Sequence, residues 1–491
     1  MAAMLGTLPL LFMVVLVLLA WMWRRPSRFP PGPTCWPLMG SFFAVPKKDL
    51  HLTLMRWKDE YGPLVGAMFG PRRVVLVAGP REVLEVLRRD EFAGRPRMFF
   101  FKERSFRKLL GVVFSDGPFW TEQRRFALRH LRDFGFGKTS MDNIMHEEVD
   151  ELSKVLLTSE IHPVSRMFNQ AIVNLLWTIV AGRRFSYEDS QFQEILGYVY
   201  KSFRSDVPGG VLVNVFPFLR FVIPRWSGYE EGMEYVHGLQ GMLRESIREH
   251  EKSFTEGYHR DFIDVYLEEI RNKKNLPETT FTEEGLIVLC MDLFIAGSDT
   301  VSNTLEFCLL YMVLYPGVQL AVQREMEDVL GRSIMPSAGD RTRLPYTEAV
   351  LTEVMRINTI VPVPPPHRCM KKTELQGYTI PEDTMVFVNL WALLHDREHW
   401  GDPHVFRPER FLDAEGRFAR DDWCCVFSLG KRTCLGESLA RNALFVVFTS
   451  LLQRFEFSLP AGDPAPSTKG RLGLTSTPEP FRVKVTPRGP S

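Results

Sequence analysis

No Gly/Ser-rich or highly charged stretch divides residues 50 to 460, so nothing in this 491-residue chain marks an interdomain linker. Length alone would permit several domains, but the missing linker favours one large one. An excess of one charge is missing too: Lys and Arg total 60, Asp and Glu total 59, and the formal net charge is +1. Such a balance gives no general attraction to nucleic acid, and no nucleic-acid module is evident. No pair of cysteines has zinc-site spacing. The seven cysteines, at 35, 290, 308, 369, 424, 425 and 434, are odd in number and scattered. They do not form the pattern of a disulfide framework, and a reducing compartment suits the main domain. Internal repeats, low-complexity tracts and glycine-rich phosphate loops are also lacking. The chain therefore carries no evident nicotinamide or flavin site of its own.

What is present begins at the N-terminus. Met4 to Trp23 contains no charged residue, and a helix of that length spans roughly 30 Å, a bilayer core. Arg24, Arg25 and Arg28 follow, which favours a cytosolic position for the rest. A cleaved signal peptide needs a basic start and a small-residue cleavage site. Met1 to Gly6 has no Lys or Arg, and Trp21 to Arg25 is a poor cleavage site. The expected division is a membrane anchor over 1–23, a basic, proline-rich hinge over 24–45, and one domain over 46–491. Three prolines in Pro30-Pro31-Gly32-Pro33 stiffen the hinge.

Along the main domain, Leu64 to Phe69 and Val74 to Val77 predict a hairpin around Gly70-Pro71. Pro80 opens an amphipathic helix through Leu87. Helical periodicity dominates from Asp142 to Leu330, broken at Gly182, at Pro208-Gly209-Gly210 and at Pro217. Gly377 to Val388 is again strand-like. Strands cluster near the ends and helices fill the middle, which predicts a mainly α, α+β class.

The chemistry concentrates in Phe427-Ser-Leu-Gly430-Lys-Arg432-Thr-Cys434-Leu-Gly436. A cysteine lies between two glycines with an arginine two residues before it. Glycines allow sharp turns and close backbone approach to a flat ligand. Backbone N–H groups and a nearby cation favour a thiolate. A helical pattern follows, Ser438 to Leu452, so the sulfur sits near a helix N-terminus, which favours anions further. The bland alternative is a buried structural cysteine.

This stretch resembles the signature of the cytochrome P450 family, Phe-x-x-Gly-x-Arg-x-Cys-x-Gly. Val426 stands where many relatives have proline. Other matches follow in family order. They are Trp120-Thr-Glu-Gln-Arg124, Ala296-Gly-Ser-Asp299-Thr300, Glu353-Val-Met-Arg356, His367-Arg368 after a proline run, and Pro408-Glu-Arg410-Phe411. Together they span nearly the whole chain. The resemblance implies a helix-rich triangular domain with small β-sheets behind one N-terminal transmembrane helix. It implies haem b ligated by Cys434. Trp120, Arg124, Arg432 and either His367 or Arg368 would lie at the propionates, and Phe427 beside the sulfur. Asp299 and Thr300 would form a proton relay for oxygen activation. The Thr300 hydroxyl, in mid-helix, can also bond its own i−4 carbonyl. Glu353, Arg356 and Arg410 would form a buried structural triad.

The family's substrate-lining segments fall on Phe101, Val112, Phe114, Phe216, Ala296, Val361 and Val363, which implies an apolar substrate. Dioxygen is the implied co-substrate. Electrons are expected from NADPH through NADPH-cytochrome P450 reductase, with cytochrome b5 as a further donor, at the endoplasmic reticulum membrane. The basic residues Arg124, Arg125, Arg129, Arg132 and Lys138 would dock an acidic flavoprotein. Leu128 to Gly137 and Phe99 to Gly117 resemble arthropod microsomal enzymes, some of which epoxidise farnesyl sesquiterpenoids such as methyl farnesoate. Xenobiotic, steroid or fatty-acid hydroxylation stays open. So does a haem-thiolate isomerase or dehydratase, although such enzymes commonly lack the acid–threonine pair. A non-catalytic haem binder would need none of the oxygen-side residues.

Overall fold

The computed structural model describes Met13 and residues 26–36, 39–45, 49–133, 140–204 and 211–489. The expected membrane anchor, Met13 apart, lies outside them, as does Pro208-Gly209-Gly210. The proline segment packs against the edge of the first strand: the Gly66 amide donates to the Pro31 carbonyl at 2.7 Å. Gly32 and Gly66 make that approach possible. A Cβ on Gly32 would meet the Gly66 carbonyl oxygen at 2.1 Å, and one on Gly66 would meet the Pro30 carbonyl oxygen at 2.2 Å.

β1 (Leu64–Phe69) and β2 (Arg72–Val77) form the antiparallel hairpin. β2 then pairs in parallel with β7 (Met385–Val388), and β7 with the short β4 (His367–Arg368), giving the order β1-β2-β7-β4. Both faces of this sheet are covered. Val75 and Val77 pack on one apolar cluster, Val74 and Leu76 on another. That explains an unbroken apolar run where alternation marks a half-exposed strand. The strand-like stretch Gly377 to Val388 divides between two sheets. Its first part is β6 (Tyr378–Ile380), which pairs with β5 (Thr373–Leu375). The turn between the two parts passes through Asp383, at φ 62°.

Helices fill the middle, with one exception: β3 (Ile161–Pro163) joins the C-terminal strands β11 (Arg482–Pro487) and β8 (Phe455–Ser458) in a three-stranded sheet. A long helix, Glu283–Leu314, runs through the core. Its N-cap Thr282 accepts from the Gly285 amide, and Glu283 and Glu284 complement the positive end of the helix. It is apolar and long enough to cross a membrane. However, 78% of its apolar window is buried inside the protein. A helix apolar on all sides is then a core helix. Helices Asn169–Ala181, Pro345–Asn358 and Glu437–Arg454 pack around it.

Candidate active site

Cys434 lies on a loop whose shape follows from its glycines. Gly430 has φ 68°, and a Cβ there would meet the Leu87 carbonyl oxygen at 2.1 Å. Ser428 also takes a left-handed φ of 63°. The Cys434 amide donates to the Phe427 carbonyl at 2.9 Å, closing the loop. Helix Glu437–Arg454 begins three residues later, and the backbone N–H groups of Gly436 and Glu437 at its start favour the charged form of the sulfur. Of the seven cysteines, Cys434 is exposed, Cys35 is half-buried and the other five are buried thiols. Burial pushes the Cys369 and Cys425 thiols up to about 11 and the Cys424 thiol to about 12. Desolvation also raises the Cys434 thiol, opposed by the two amides and by Arg124. The sulfur is thus enclosed by protein yet reachable. The cation acting on it is Arg124 rather than the neighbouring Arg432, because the loop turns the Arg432 side chain away.

Arg432 instead donates from Nε to the Ala93 carbonyl at 2.7 Å and from Nη2 to the Ser115 carbonyl at 2.8 Å. Its guanidinium lies 3.8 Å from the Trp120 ring centre, and Trp120 Nε1 is held by the Val112 carbonyl at 3.1 Å. Arg124 reaches the Thr433 carbonyl at 2.7 Å. Arg95, which sequence reasoning missed, is buried here and donates to the carbonyls of Val113, Pro365 and Pro366. His367, on β4, is buried with Nδ1 hydrogen-bonded to the Phe92 carbonyl at 2.8 Å. Cations therefore accumulate without matching anions. Desolvation, aggravated by Arg95, Arg124 and Arg368, drives Arg432 down to about 8 even though Asp116 opposes it. Desolvation and the charges of Arg95 and Arg432 drive His367 down to about 3. The nearby carboxylate, Asp116, is already engaged by the Arg368 side chain at 2.8 Å and the Arg95 amide at 2.9 Å.

Arg432 Nη1 is buried without a partner. An orphaned buried donor amid uncompensated positive charge suits a bound carboxylate. Haem carries two, beside an iron that a thiolate can ligate, so these residues fit it. Arg368, the other residue read as a propionate partner, is paired with Asp116 (2.8 Å) and Asp383 (2.7 Å).

The long helix supplies the second wall. Ala296 is exposed while Asp292, Ser298 and Asp299 around it are buried, so the helix borders accessible space at this point. The Thr300 hydroxyl donates to the Ala296 carbonyl at 2.9 Å. Asp299 is turned elsewhere: its Oδ2 accepts from Asn303 at 2.8 Å and from the Thr475 hydroxyl. Two turns before Asp299, Asp292 ties the segment before Trp120 to the helix. It pairs with Arg104 at 2.8 Å and accepts from the amides of Val112 and Val113 at 2.7 and 2.9 Å. Asp292 also escaped the sequence reading. A single acid in an apolar helix carries no local mark of its partner 180 residues away.

Among the residues read as substrate-lining, Phe101 and Phe114 stack with ring centres 3.7 Å apart, and Val112 is buried nearby in the same cluster. Phe216 instead meets Phe218, which is largely exposed. Val363 packs with Leu54 and Met98 under the sheet, and Val361 is half-buried. Glu353, Arg356 and Arg410 come together, with Arg356 bound to Glu353 at 2.7 Å and Arg410 at 3.1 Å. Arg356 is fully buried and also donates to the carbonyls of Leu394 and Pro403. Of the basic stretch, Arg125, Arg129 and Arg132 are exposed. Arg124 is committed to Thr433, and Lys138 lies outside the described residues.

The profile of the family "Cytochrome P450" matches residues 30–485. The chain belongs to the cytochrome P450 family. It is 40% identical over 468 residues to a farnesoate epoxidase of Bombyx mori, covering 94% of each chain. It is 38% identical to cytochrome P450 2D20 of Mesocricetus auratus, over 94% of this chain and 93% of that one. To human cytochrome P450 2J2 it is 37% identical, over 95% and 92%. This P450 is therefore a monooxygenase by family, and its family implies haem, a cysteine thiolate and dioxygen.

Proposed function

We propose that this P450 inserts one oxygen atom of dioxygen into an apolar sesquiterpenoid, epoxidising farnesoate or its methyl ester. The observation that carries the substrate is the 40% identity to a farnesoate epoxidase along 94% of both chains. The stacked Phe101–Phe114 pair and Val112 suit an isoprenoid chain. Haem, when bound, supplies the oxidising chemistry. The protein's own residues do the rest. Cys434 ligates the iron, and a coordinating thiol is deprotonated outright whatever burial does to the free group. Arg95, Arg124, Arg432 and His367 hold the propionates, and Trp120 braces Arg432. Thr300 passes protons on the side of the exposed Ala296, and Asp299, buried behind it, supplies them. Electrons come from NADPH through a membrane-bound reductase, received at the exposed Arg125, Arg129 and Arg132. The relatives' likeness and the uncharged run Met4 to Trp23 support an endoplasmic reticulum site.

The test is reconstitution with NADPH-cytochrome P450 reductase, NADPH and either farnesoate or methyl farnesoate under ¹⁸O₂. An epoxide carrying one labelled oxygen is expected, with neither product nor NADPH use when reductase is omitted. Rearrangement of an added lipid hydroperoxide without NADPH or dioxygen, with neither farnesoid consumed, would establish the isomerase reading instead. Oxidation of other lipophiles with neither farnesoid consumed would withdraw the substrate.

A further inference from the structure

The C-terminal hairpin of β9 (Gly470–Leu472) and β10 (Ser476–Pro478) lies against the long helix. At its tip Thr475 is 3% exposed, and its hydroxyl donates to Asp299 Oδ2. Asn303, one turn along the helix, donates to the same oxygen at 2.8 Å and to the Thr475 hydroxyl oxygen at 3.3 Å. Asp299 and Asn303 are each 2% exposed. Among the described residues Asp299 has no ion pair, so neutral donors alone satisfy this deep carboxyl group. The Thr300 hydroxyl donates to the Ala296 carbonyl instead. The orientation of the acid is thus set from a segment 176 residues further along the chain.

The two clamps differ chemically. An amide NH₂ can only donate, so Asn303 bonds a carboxyl oxygen that carries no proton. A hydroxyl donates to a carboxylate and, after rotation, accepts from a carboxylic acid. Thr475 can therefore hold Asp299 in both protonation states, as a group that takes a proton from water and passes it on requires. The hairpin is itself anchored, since the Ser476 amide donates to the Ile360 carbonyl at 2.8 Å, next to Val361. Hairpin tip, residue 361 segment and relay acid form one connected unit.

We propose that Thr475 is a positioning residue for proton delivery, holding Asp299 through both of its protonation states with Asn303 as a fixed second clamp. The inference rests on the reading above that Asp299 supplies protons. It is tested on the full-length holoenzyme with Thr475→Val, Thr475→Ser and Asp299→Asn. Two readouts are taken: product per NADPH with released peroxide, and, without turnover, the infrared C–O stretch of the carbon monoxide complex. Thr475→Val should lower coupling about tenfold, less than the ~10²–10⁴ of removing an acid–base group itself. It should also broaden or split the C–O band as the carboxyl group turns free. Thr475→Ser, which keeps the hydroxyl, should restore both to near wild type. If Thr475→Val yields no holoenzyme, Thr475→Ala deletes the same hydroxyl with less bulk. Wild-type coupling and band shape without the hydroxyl, while Asp299→Asn uncouples, would overturn the positioning role alone. Wild-type coupling in Asp299→Asn would remove the relay reading beneath it.

Discussion

At the residue scale, Cys434 and Arg95 are the two positions on which the cofactor reading turns. Cys434→Ser is expected to abolish the carbon monoxide band typical of thiolate-ligated haem, because the five buried thiols are withdrawn from any ligand. A normal band in that variant would remove the assignment. Arg95→Leu should weaken haem retention, measured as transfer to apomyoglobin. It removes one cation from the propionate cluster and strips hydrogen bonds from the Val113, Pro365 and Pro366 carbonyls. A fully buried carbonyl left unpaired costs about 1–3 kcal/mol; these three are half-buried, so stability should fall by less than that for each. Unchanged haem transfer beside lowered stability would mark Arg95 as scaffold only. Thr300→Ala should keep haem and substrate affinity but release more peroxide per NADPH. Its hydroxyl lies on the long helix, away from the Cys434 loop, and wild-type coupling would make Thr300 a helix residue and nothing more.

Elements are held together here by buried charge, and two such contacts give opposite kinds of prediction. Helix Pro345–Asn358 is tied to the Pro408–Phe411 turn through Glu353, which serves both Arg356 and Arg410. Glu353→Gln strands a fully buried Arg356, and breaking such a pair costs about 3–5 kcal/mol. Urea unfolding should show that loss, together with loss of haem on mild heating. Helices Tyr229–Ser253 and Phe262–Lys273 are joined differently, by His250. Its Nδ1 faces the Ser246 carbonyl and its Nε2 the Asp261 carboxylate, each at 2.7 Å. Both partners accept, so the doubly protonated ring satisfies both. Desolvation lowers the His250 pKa, but Asp261, Ser246 and Asp264 together outweigh it and raise it above the ordinary value. Asp264 itself is paired with Arg260. A raised folded pKa means stabilisation that is complete below the unfolded value and lost as pH rises through the folded one. The stability gap between wild type and His250→Gln should therefore be larger near pH 6 than near pH 9, about one ordinary histidine titration apart. An equal gap at both would show that the ring is neutral in the fold.

For the whole molecule, the balance is between a buried helical core and the uncharged run Met4 to Trp23, which we propose as a membrane anchor. Deleting residues 1–28 should leave a haem-binding domain that carbonate extracts far more readily. The deletion stops short of the Pro31–Gly66 contact, so the edge of β1 stays covered, but it removes the Arg28 carbonyl to which the Thr379 amide of β6 donates at 2.8 Å. Exposed Phe218, Phe221, Val222 and Trp226 should leave some residual affinity for lipid. A secreted protein lacking Met1 to Trp23 would instead make that segment a signal peptide.

Much of this protein could be read from local pattern, because the determinants were local. The Phe427–Gly436 loop depends on glycines at fixed spacing, and its thiol position follows from chain geometry. The Val74–Val77 strand and the Pro80 helix are each set by a few neighbouring residues. The pairing of Glu353 with Arg356 needs only a helical turn. What the sequence left open involves partners far apart in the chain. The Arg432 side chain was free to face the sulfur until Ala93 and Ser115 supplied carbonyls to receive it. His367 and Arg368 are adjacent, and only the fold brings Asp116 and Asp383 to neutralise one of them. Arg95, Asp292 and Thr475 had no local mark at all, since each acquires its place through a contact across more than a hundred residues or a cluster of them. Backbone conformation and helix periodicity are written in neighbours. Burial of charge is not, because its cost and its compensation exist only where the tertiary fold excludes water.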